Sequence, residues 1–580
     1  MNVPFSAYNN WGHYDELGDR VELTEALVES ELDALAAWRS SAGLRFDVFQ
    51  IDCLWFDPAA GYRHFRRPHW PDGPDRVLRR IRDLGMTPGL WFSTNGARLN
   101  VPAWEASRAG DRWHYSLADG PYAAALEDGM THAAEAWGVR FFKLDFAQFD
   151  APAHGSGRNA ADNRRASVSR LREILRRLRS RHPDVHVVTH CGFPARNDSE
   201  LLGSPRPYGA DPAWMETVDR MFSGDPHPGD RPQTNLARSI DVFQDRQVWK
   251  THRDGFPLDR IDDHGAVMGR TNTAQCRGRA GFLRTWVAQL ARGGRRAFLY
   301  GDPTVLTDDD ARFMEASRGL FFDAWTRGAT ARFVSDGEPG LAPWHGVLTG
   351  ETVAGLLYVV NPHPRRIAVR CPLPGPLSAR VLFHDGRAPA PEAGRDALAV
   401  DLAPEQCVLV GLGRYADERW ALPPETDDPP PAEMRPLDVE TSEAGGVVAA
   451  ELKSPLRPGE RLFATAEALS PPIERSEPPL PFRFARQSLR ASDDRSPHAH
   501  REVEITLEHG GRAATPARQI PDVPVWSGIS WVARLYDPPP AAFAIRARSR
   551  VEPPRRVRLR AFAIREAAGR AAPTARENAP

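Results

Sequence analysis

Apolar positions in the first half of the chain alternate between two spacings. Over residues 24–38, Val28, Leu32 and Leu35 recur at helical spacing, and Gly43 supplies a C-terminal stop. The short apolar run at 46–52 then reads as a strand. The couplet repeats. Val77, Leu78, Ile81 and Leu84 mark a helix that stops at Gly85, ahead of a strand at 89–92. A third helix ends at Trp137-Gly138, and residues 141–146 follow at once as a strand. Val168, Leu171, Leu175 and Leu178 mark a further helix, broken by Pro183-Asp184 before a strand at 185–189. Strands are also expected near 221–222 and 297–300. Such alternation implies a parallel sheet with helices outside it. A strand count close to eight makes a (β/α)8 TIM barrel the natural closure, with a doubly wound open sheet as the alternative. No Gly-x-Gly-x-x-Gly turn supports a dinucleotide fold.

Near Thr330 the helical periodicity stops. Short β-like runs at 353–360, 367–371, 379–383 and 407–412 lie between Gly and Pro turns, the pattern of an antiparallel sandwich. Residues 421–436 are rich in Pro and acid, and strands are expected again at 501–507, 526–535 and 556–564. The expected division is a (β/α)8 barrel over 1–326 and a β-sandwich over 327–416. A Pro-rich linker over 417–436, a second β-rich domain over 437–565 and a disordered tail over 566–580 complete it. Trp526, Trp531 and Tyr536 are expected in the core of that second domain rather than on a sugar-stacking surface.

Composition narrows the function class. A net charge of −1 over 580 residues gives no support for nucleic-acid or anionic-membrane binding. No apolar run is long enough to span a membrane. The start of the chain lacks a basic n-region and an apolar h-region, and the five cysteines are scattered without Cys-x-x-Cys spacing. These features lead us to expect a reducing, cytoplasmic setting.

The strand at 141–146 carries the candidate chemistry. Alternation sends Phe142 and Leu144 to one face and Lys143 and Asp145 to the other. Charged groups on the inner face of a strand are costly unless something uses them. A lysine also holds a nearby carboxylate ionised, as a carboxylate nucleophile requires. Lys143 is one of only three lysines in a chain whose Lys and Arg total 75, so a guanidinium is not expected to replace it here. Polar residues fall at nearly every expected strand end: Asn9-Asn10-Trp11, Asp52, Ser93-Thr94-Asn95, Asp145, His190-Cys191, Asp225 and Asp302. Barrel enzymes place their chemistry at those ends, although each residue taken singly also suits a helix N-cap. Cleavage of a glycosidic bond with retention needs two carboxyl groups about 5–5.5 Å apart. Asp225, after Phe222-Ser223-Gly224, is the best partner for Asp145; Asp211, Asp219 and Asp230 are weaker rivals.

Seven motifs in order resemble the retaining α-galactosidase (melibiase) group of glycoside hydrolases. Tyr8-Asn9-Asn10-Trp11 resembles that group's opening strand, and residues 49–56 (FQIDCLWF) its Asp-Asp-x-Trp-Phe strand. Gly89-Leu90-Trp91-Phe92 resembles its Gly-Leu-Trp, and residues 142–146 its Lys-x-Asp nucleophile strand. His190-Cys191-Gly192 with Arg196 and Asp198 resembles its Cys-x-Gly-Gly-x-x-Arg-x-Asp stretch. Ser223-Gly224-Asp225 resembles its acid/base motif, and residues 261–267 with His264 its His-Val-Ser stretch. The resemblance implies a (β/α)8 barrel followed by a β-sandwich and an exo-acting α-glycosidase. Asp145 would be its nucleophile and Asp225 its acid/base. Asp52, Lys143, Cys191, Arg196 and His264 would line the sugar site, and Trp11 and Trp91 would wall it. The implied substrate is an oligosaccharide or glycoside, with no metal and no organic cofactor. The family's second Asp is Cys53 here, a poor hydrogen-bonding replacement that leaves the sugar open. Three other functions remain at this stage: a transglycosylase using the same two aspartates, a non-catalytic carbohydrate-binding barrel, and a Schiff-base lyase using Lys143.

Overall fold

The computed structural model describes residues 3–14, 22–109, 114–190, 193, 211–224, 236–268, 279–335, 337–374, 378–386, 389–422, 433–453, 455–468, 503–520, 531–537, 543–550 and 556–565. Nine short parallel strands organise its first part. They are β1 (Phe5–Asn9), β2 (Val48–Ile51), β3 (Thr87–Ser93), β4 (Phe141–Asp145), β5 (His186–Thr189), β6 (Met221–Phe222), β7 (Ile261–Asp262), β8 (Ala266–Met268) and β9 (Arg296–Gly301). Seven of them form one sheet in the order β8-β9-β1-β2-β3-β4-β5. Every neighbouring pair in it is parallel. β6 and β7 form a parallel pair beside it, joined to the β5 side by a bridge between Val188 and Arg220.

The helices between strands begin and end where local chemistry dictates. Helix α1 (Glu25–Ala42) starts at Thr24, whose hydroxyl accepts the Leu27 N–H at 3.2 Å, and stops at Gly43, where φ is 72°. A left-handed φ of this kind suits glycine, which has no Cβ to clash. It runs one turn beyond the predicted end. Helix α2 (Asp75–Asp83) stops at Gly85 as expected. Helices α3 (Tyr122–Ala136), α4 (Ala160–Arg181), α5 (Leu236–Arg253), α6 (Arg279–Ala291) and α7 (Asp308–Thr326) follow. Thr307 and Asp310 cap α7 reciprocally.

Strand alternation divides the core in two. Ala7, Val48, Phe141, Val188, Val267, Phe298 and Tyr300 form one buried cluster, with Phe5 and Trp11 against it. Their neighbours on the same strands, including Phe49, Ile51, Phe142, Leu144, Val187 and Leu299, belong to the larger cluster that includes the helices. Phe142 and Leu144 therefore point away from Lys143 and Asp145, as the sequence pattern requires.

The sequence pattern did not anticipate a strand at 261–268. That segment serves as two: β7 pairs with β6 and β8 with β9. His264 and Gly265, between them, sit at φ 74° and 88°. Side-chain bonds anchor this turn. Arg292 meets Asp263 and Asp245 at 2.7 Å each, and Arg296 meets Asp262 at 2.8 Å. The same buried network continues through Arg284 and Arg238 to Asp385, and through Asp245 to His345 at 2.8 Å. His345 opens a strand of the antiparallel sheets that follow, and Asp385 lies in the bend just past the end of another.

One antiparallel sheet has five strands (Ala331–Phe333, His345–Glu351, Ala354–Val360, Cys407–Gly413, Ala379–His384) and a second has three. Their apolar residues, among them Leu357, Val369, Leu398 and Val410, make one cluster. Further on, two five-stranded antiparallel sheets share another cluster that includes Trp531 and Tyr536. These two aromatics are core, as expected. The predicted tail at 566–580, the centre of the linker at 423–432 and Trp526 lie outside the described residues. Among the described residues, no helix is long and apolar enough to cross a membrane.

Candidate active site

Asp145 is the last residue of β4, and Trp91 and Ser93 of β3 lie in register with Lys143 and Asp145. Parallel register on one face brings the Trp91 indole onto Asp145, where Nε1–H donates to Oδ2 at 3.0 Å. The Phe146 backbone N–H donates to Oδ1 at 2.7 Å. Phe146 takes φ 56° to make that turn, a conformation that costs a non-glycine residue free energy and clusters at functional sites. The Nδ1 atom of His190 stands 3.5 Å from the same Oδ1. Burial would by itself raise the Asp145 pKa. His190 first, then the Lys143 charge and the Trp91 hydrogen bond, outweigh burial and hold the carboxyl at about 2.

Lys143 is equally buried, and its Nζ meets Asp52 Oδ2 at 2.9 Å. Burial opposes its charge, but Asp52, Tyr300 and Asp145 together raise its pKa above the ordinary lysine value. Tyr300 presents its ring 5.2 Å from Nζ. The sequence pattern suggested Lys143 as the neighbour that keeps Asp145 charged. Its direct partner is Asp52 on the β2 side, and it acts on Asp145 through space. Asp52 is held from every side. Its Oδ2 also accepts from Asn9 Nδ2 at 2.7 Å, its Oδ1 from the Cys53 N–H at 2.9 Å, and its own N–H donates to Asn10 Oδ1 at 2.9 Å. Asn10 in turn donates to Glu31, which is paired with His13 at 2.7 Å. Burial raises the Glu31 pKa to about 7, even with His13 and Asn10 favouring its charge.

A ring cluster closes the other side. The His190 ring stacks on Phe222 of β6 with centroids 3.9 Å apart. His264 stands 5.1 Å from His190, 5.7 Å from Trp11 and 4.3 Å from Tyr300. The site-residue positions 11, 52, 91, 143, 145 and 264 therefore form one contiguous group at the C-terminal ends of the strands. Cys191, Arg196 and Asp225 lie outside the described residues. The residue before Asp225, Gly224, has φ 141°, and its carbonyl accepts from Gln244 Nε2 at 3.1 Å. Two polar strand ends also bond within their own loops, Asp302 while standing 3.6 Å from His13. Asp302 accepts from Thr304 N–H at 2.8 Å, as an N-cap does, and the Ser93 hydroxyl donates to Asn95 Oδ1 at 2.7 Å.

Comparison with known proteins gives likeness of structure only. No family model matches the chain, and no curated protein matches it. Solved structures similar to it include the GH36 α-galactosidase AgaB from Geobacillus stearothermophilus, at 14% identity and TM-score 0.49, covering 71% of this chain and 55% of that one. An α-galactosidase from Lactobacillus brevis has 12% identity, TM-score 0.49 and the same coverage. The α-galactosidase I from Mortierella vinacea has 12% identity and TM-score 0.47, covering 71% of this chain and 97% of that one. These neighbours are α-galactosidases. The chain matches only about half the length of the bacterial ones, 55%.

Three members of the site gave a weaker signal in the sequence than their contacts warrant. His190 was visible at a strand end, but the motif drew weight to Cys191. Asn9, also at a strand end, donates to both Asp52 and Gln50. Tyr300, inward on β9, is an aromatic in an apolar run, and nothing in the pattern distinguishes it from packing. Cys53 packs beside Tyr14, whose hydroxyl donates to the Cys53 carbonyl at 2.8 Å. Among the described residues, no group of three or more His, Cys, Asp or Glu side chains is placed to hold a metal ion.

Proposed function

We propose that the protein is a retaining exo-α-glycosidase of the α-galactosidase kind, with Asp145 as nucleophile and Asp225 as acid/base. The supporting observation is the state of Asp145. It is a buried carboxylate at a strand's C-terminal end, held ionised at about 2 and faced by three donors. In the first step an Asp145 oxygen forms a bond to the anomeric carbon of a terminal sugar. The bond to the departing oxygen breaks, and that oxygen takes the proton of Asp225. In the second step water attacks the same carbon, its proton passes to Asp225, and the electron pair of the broken bond returns to Asp145. Asp225 must therefore hold a higher pKa than Asp145. Asp52, Lys143 and Asn9 form a fixed acceptor–donor set for sugar hydroxyls, beside Trp11. Neither step needs a metal or an organic cofactor.

The Lys143 ammonium, kept protonated by Asp52, lacks the lone pair that a Schiff base needs, which favours the glycosidase over the lyase. We assign the catalytic unit to residues 1–326, its strands closing as a (β/α)8 ring through 261–268. The antiparallel sheets of 327–416 pack as one sandwich after it, and those of 433–565, which take in the last four residues of the expected linker as a strand, as another.

A panel of aryl α- and β-glycosides tests the function, with the first-formed sugar read by proton NMR. Turnover of at least one α-glycoside with the α-anomer released first is expected. Release of the β-anomer, or cleavage of β-glycosides alone, would overturn the proposal. Transfer of the sugar to an added alcohol in preference to water would identify a transglycosylase.

A further inference from the structure

His190 follows β5 directly, and two rings fix its plane. Phe222 lies against one face, with centroids 3.9 Å apart and planes 19° apart, and His264 meets it at 61°. So held, the imidazole turns Nδ1 toward Asp145 Oδ1 at 3.5 Å. That contact is long for a hydrogen bond, as such contacts often are before a substrate closes a site. An ionised carboxylate only accepts hydrogen bonds, so the nitrogen facing it carries the hydrogen. The other two donors to Asp145, the Phe146 N–H and the Trp91 indole, approach from its own strand end and from β3. His190 is the one that comes from the β5 side.

The two chemical steps use this donor oppositely. When Asp145 attacks, its negative charge is consumed, and a donor that stabilises the free carboxylate works against the bond being made. When water attacks, the carbon–oxygen bond to Asp145 breaks, and its electron pair returns to the carboxylate beside Nδ1–H. We propose that His190 is a positioning residue that speeds the release of the sugar from Asp145, the second of the two steps. This inference rests on Asp145 being the nucleophile.

The test uses the full chain and whichever dinitrophenyl α-glycoside the wild type turns over. With so good a leaving group, the second step limits the rate. In His190→Leu, kcat is expected to fall on the order of tenfold or more, the scale of one hydrogen bond to a charged group. KM should fall with it, leaving kcat/KM within about threefold, and a burst of dinitrophenol should precede the steady state. Intact-protein mass spectrometry of quenched samples should find more glycosylated enzyme than in wild type. In His190→Asn the amide nitrogen occupies the place of Nδ1, and kcat should recover to near wild type. His190→Gln puts its nitrogen where Nε2 lies, so it should behave like the leucine variant, and it serves if the latter fails to fold. Equal falls in kcat and kcat/KM without a rise in glycosylated enzyme would overturn the inference. So would an asparagine variant as slow as the leucine one. Peptide mapping reads the underlying assignment separately: an adduct on any residue other than Asp145 removes the nucleophile itself, whatever the His190 variants do.

Discussion

Replacing Trp91 with phenylalanine isolates one hydrogen bond. The ring would keep its stack on Phe56, with centroids 6.0 Å apart, and its edge contact with Phe146 at 5.7 Å. Of its polar contacts, only the indole N–H on Asp145 Oδ2 would be lost; the volume a phenyl ring leaves unfilled at this buried position adds a cost that does not depend on pH. A hydrogen bond to a buried charged acceptor is worth about 1.5–3 kcal/mol. At about 1.4 kcal/mol for each factor of ten, its loss moves the Asp145 carboxyl from about 2 to about 3 or above. The wild type should then show no fall in kcat/KM due to Asp145 down to pH 3, and Trp91→Phe should show an acid limb between about pH 3 and 4. Stability follows by linkage. A carboxyl lowered from 3.8 to about 2 stabilises the fold above its unfolded value, and that contribution is lost as pH falls through its folded one. The whole effect is about 2 kcal/mol. The pH-dependent part of the stability gap between the two proteins in urea should therefore be full above pH 4, begin to narrow near pH 3, and close only as pH falls through about 2. The assay is kcat/KM against pH from 3 to 6, with tryptophan fluorescence at each point to confirm folding. An unmoved acid limb, or a stability gap that does not narrow with acid, would refute the reasoning.

Other perturbations follow from the same contacts. Lys143→Met leaves Asp52 buried without its cation and should cost about 3–5 kcal/mol in urea unfolding. Asp145→Gly should abolish turnover of aryl α-glycosides, and added azide should restore part of it by entering the vacated space; full activity in that variant would remove the nucleophile assignment. Glu31, raised from 4.5 to about 7, costs the fold stability progressively between those two pH values, where the carboxyl is ionised in the unfolded chain but still protonated in the folded one. Glu31→Gln should match the wild type at about pH 4 and below, and exceed it in melting temperature by a growing margin that levels off above about pH 7. Asp245→Asn removes one of the two carboxylates 2.7 Å from Arg292 and the partner of His345, and should lower stability by about 1.5–3 kcal/mol, measured by thermal unfolding.

Periodicity made the faces legible but could not reveal which groups meet across them. The alternation in 141–146 told which side Lys143 takes, because a strand has only two sides. Its partner Asp52 comes from β2, and strand distance in sequence says nothing about reach across a sheet. Thr24, Gly43 and Gly85 marked helix ends correctly because capping is local chemistry. The strand at 261–268 was not legible because it is broken in the middle, and its halves are too short to show a period. His190 was seen only as a strand-end residue, since its role comes from Phe222 and His264 holding its ring, and both lie far along the chain.

The buried Arg–Asp network has a consequence for how the molecule can be divided. Arg238, Asp241 and Asp245 belong to α5, Arg284 to α6, and their partners His345 and Asp385 to one strand of the antiparallel sheets and the bend after another. Cutting the chain after Thr326 would strip these guanidinium and carboxylate groups of counter-charges in a surface built to exclude water. Such a fragment carries every residue proposed for the chemistry, yet it would be expected to aggregate or unfold, because buried Arg238 and Arg284 lose Asp385 and buried Asp245 loses His345. The sheets thus act as a brace for the strands that carry the proposed sugar site, and a surviving, active fragment of residues 1–326 would show that the brace is dispensable.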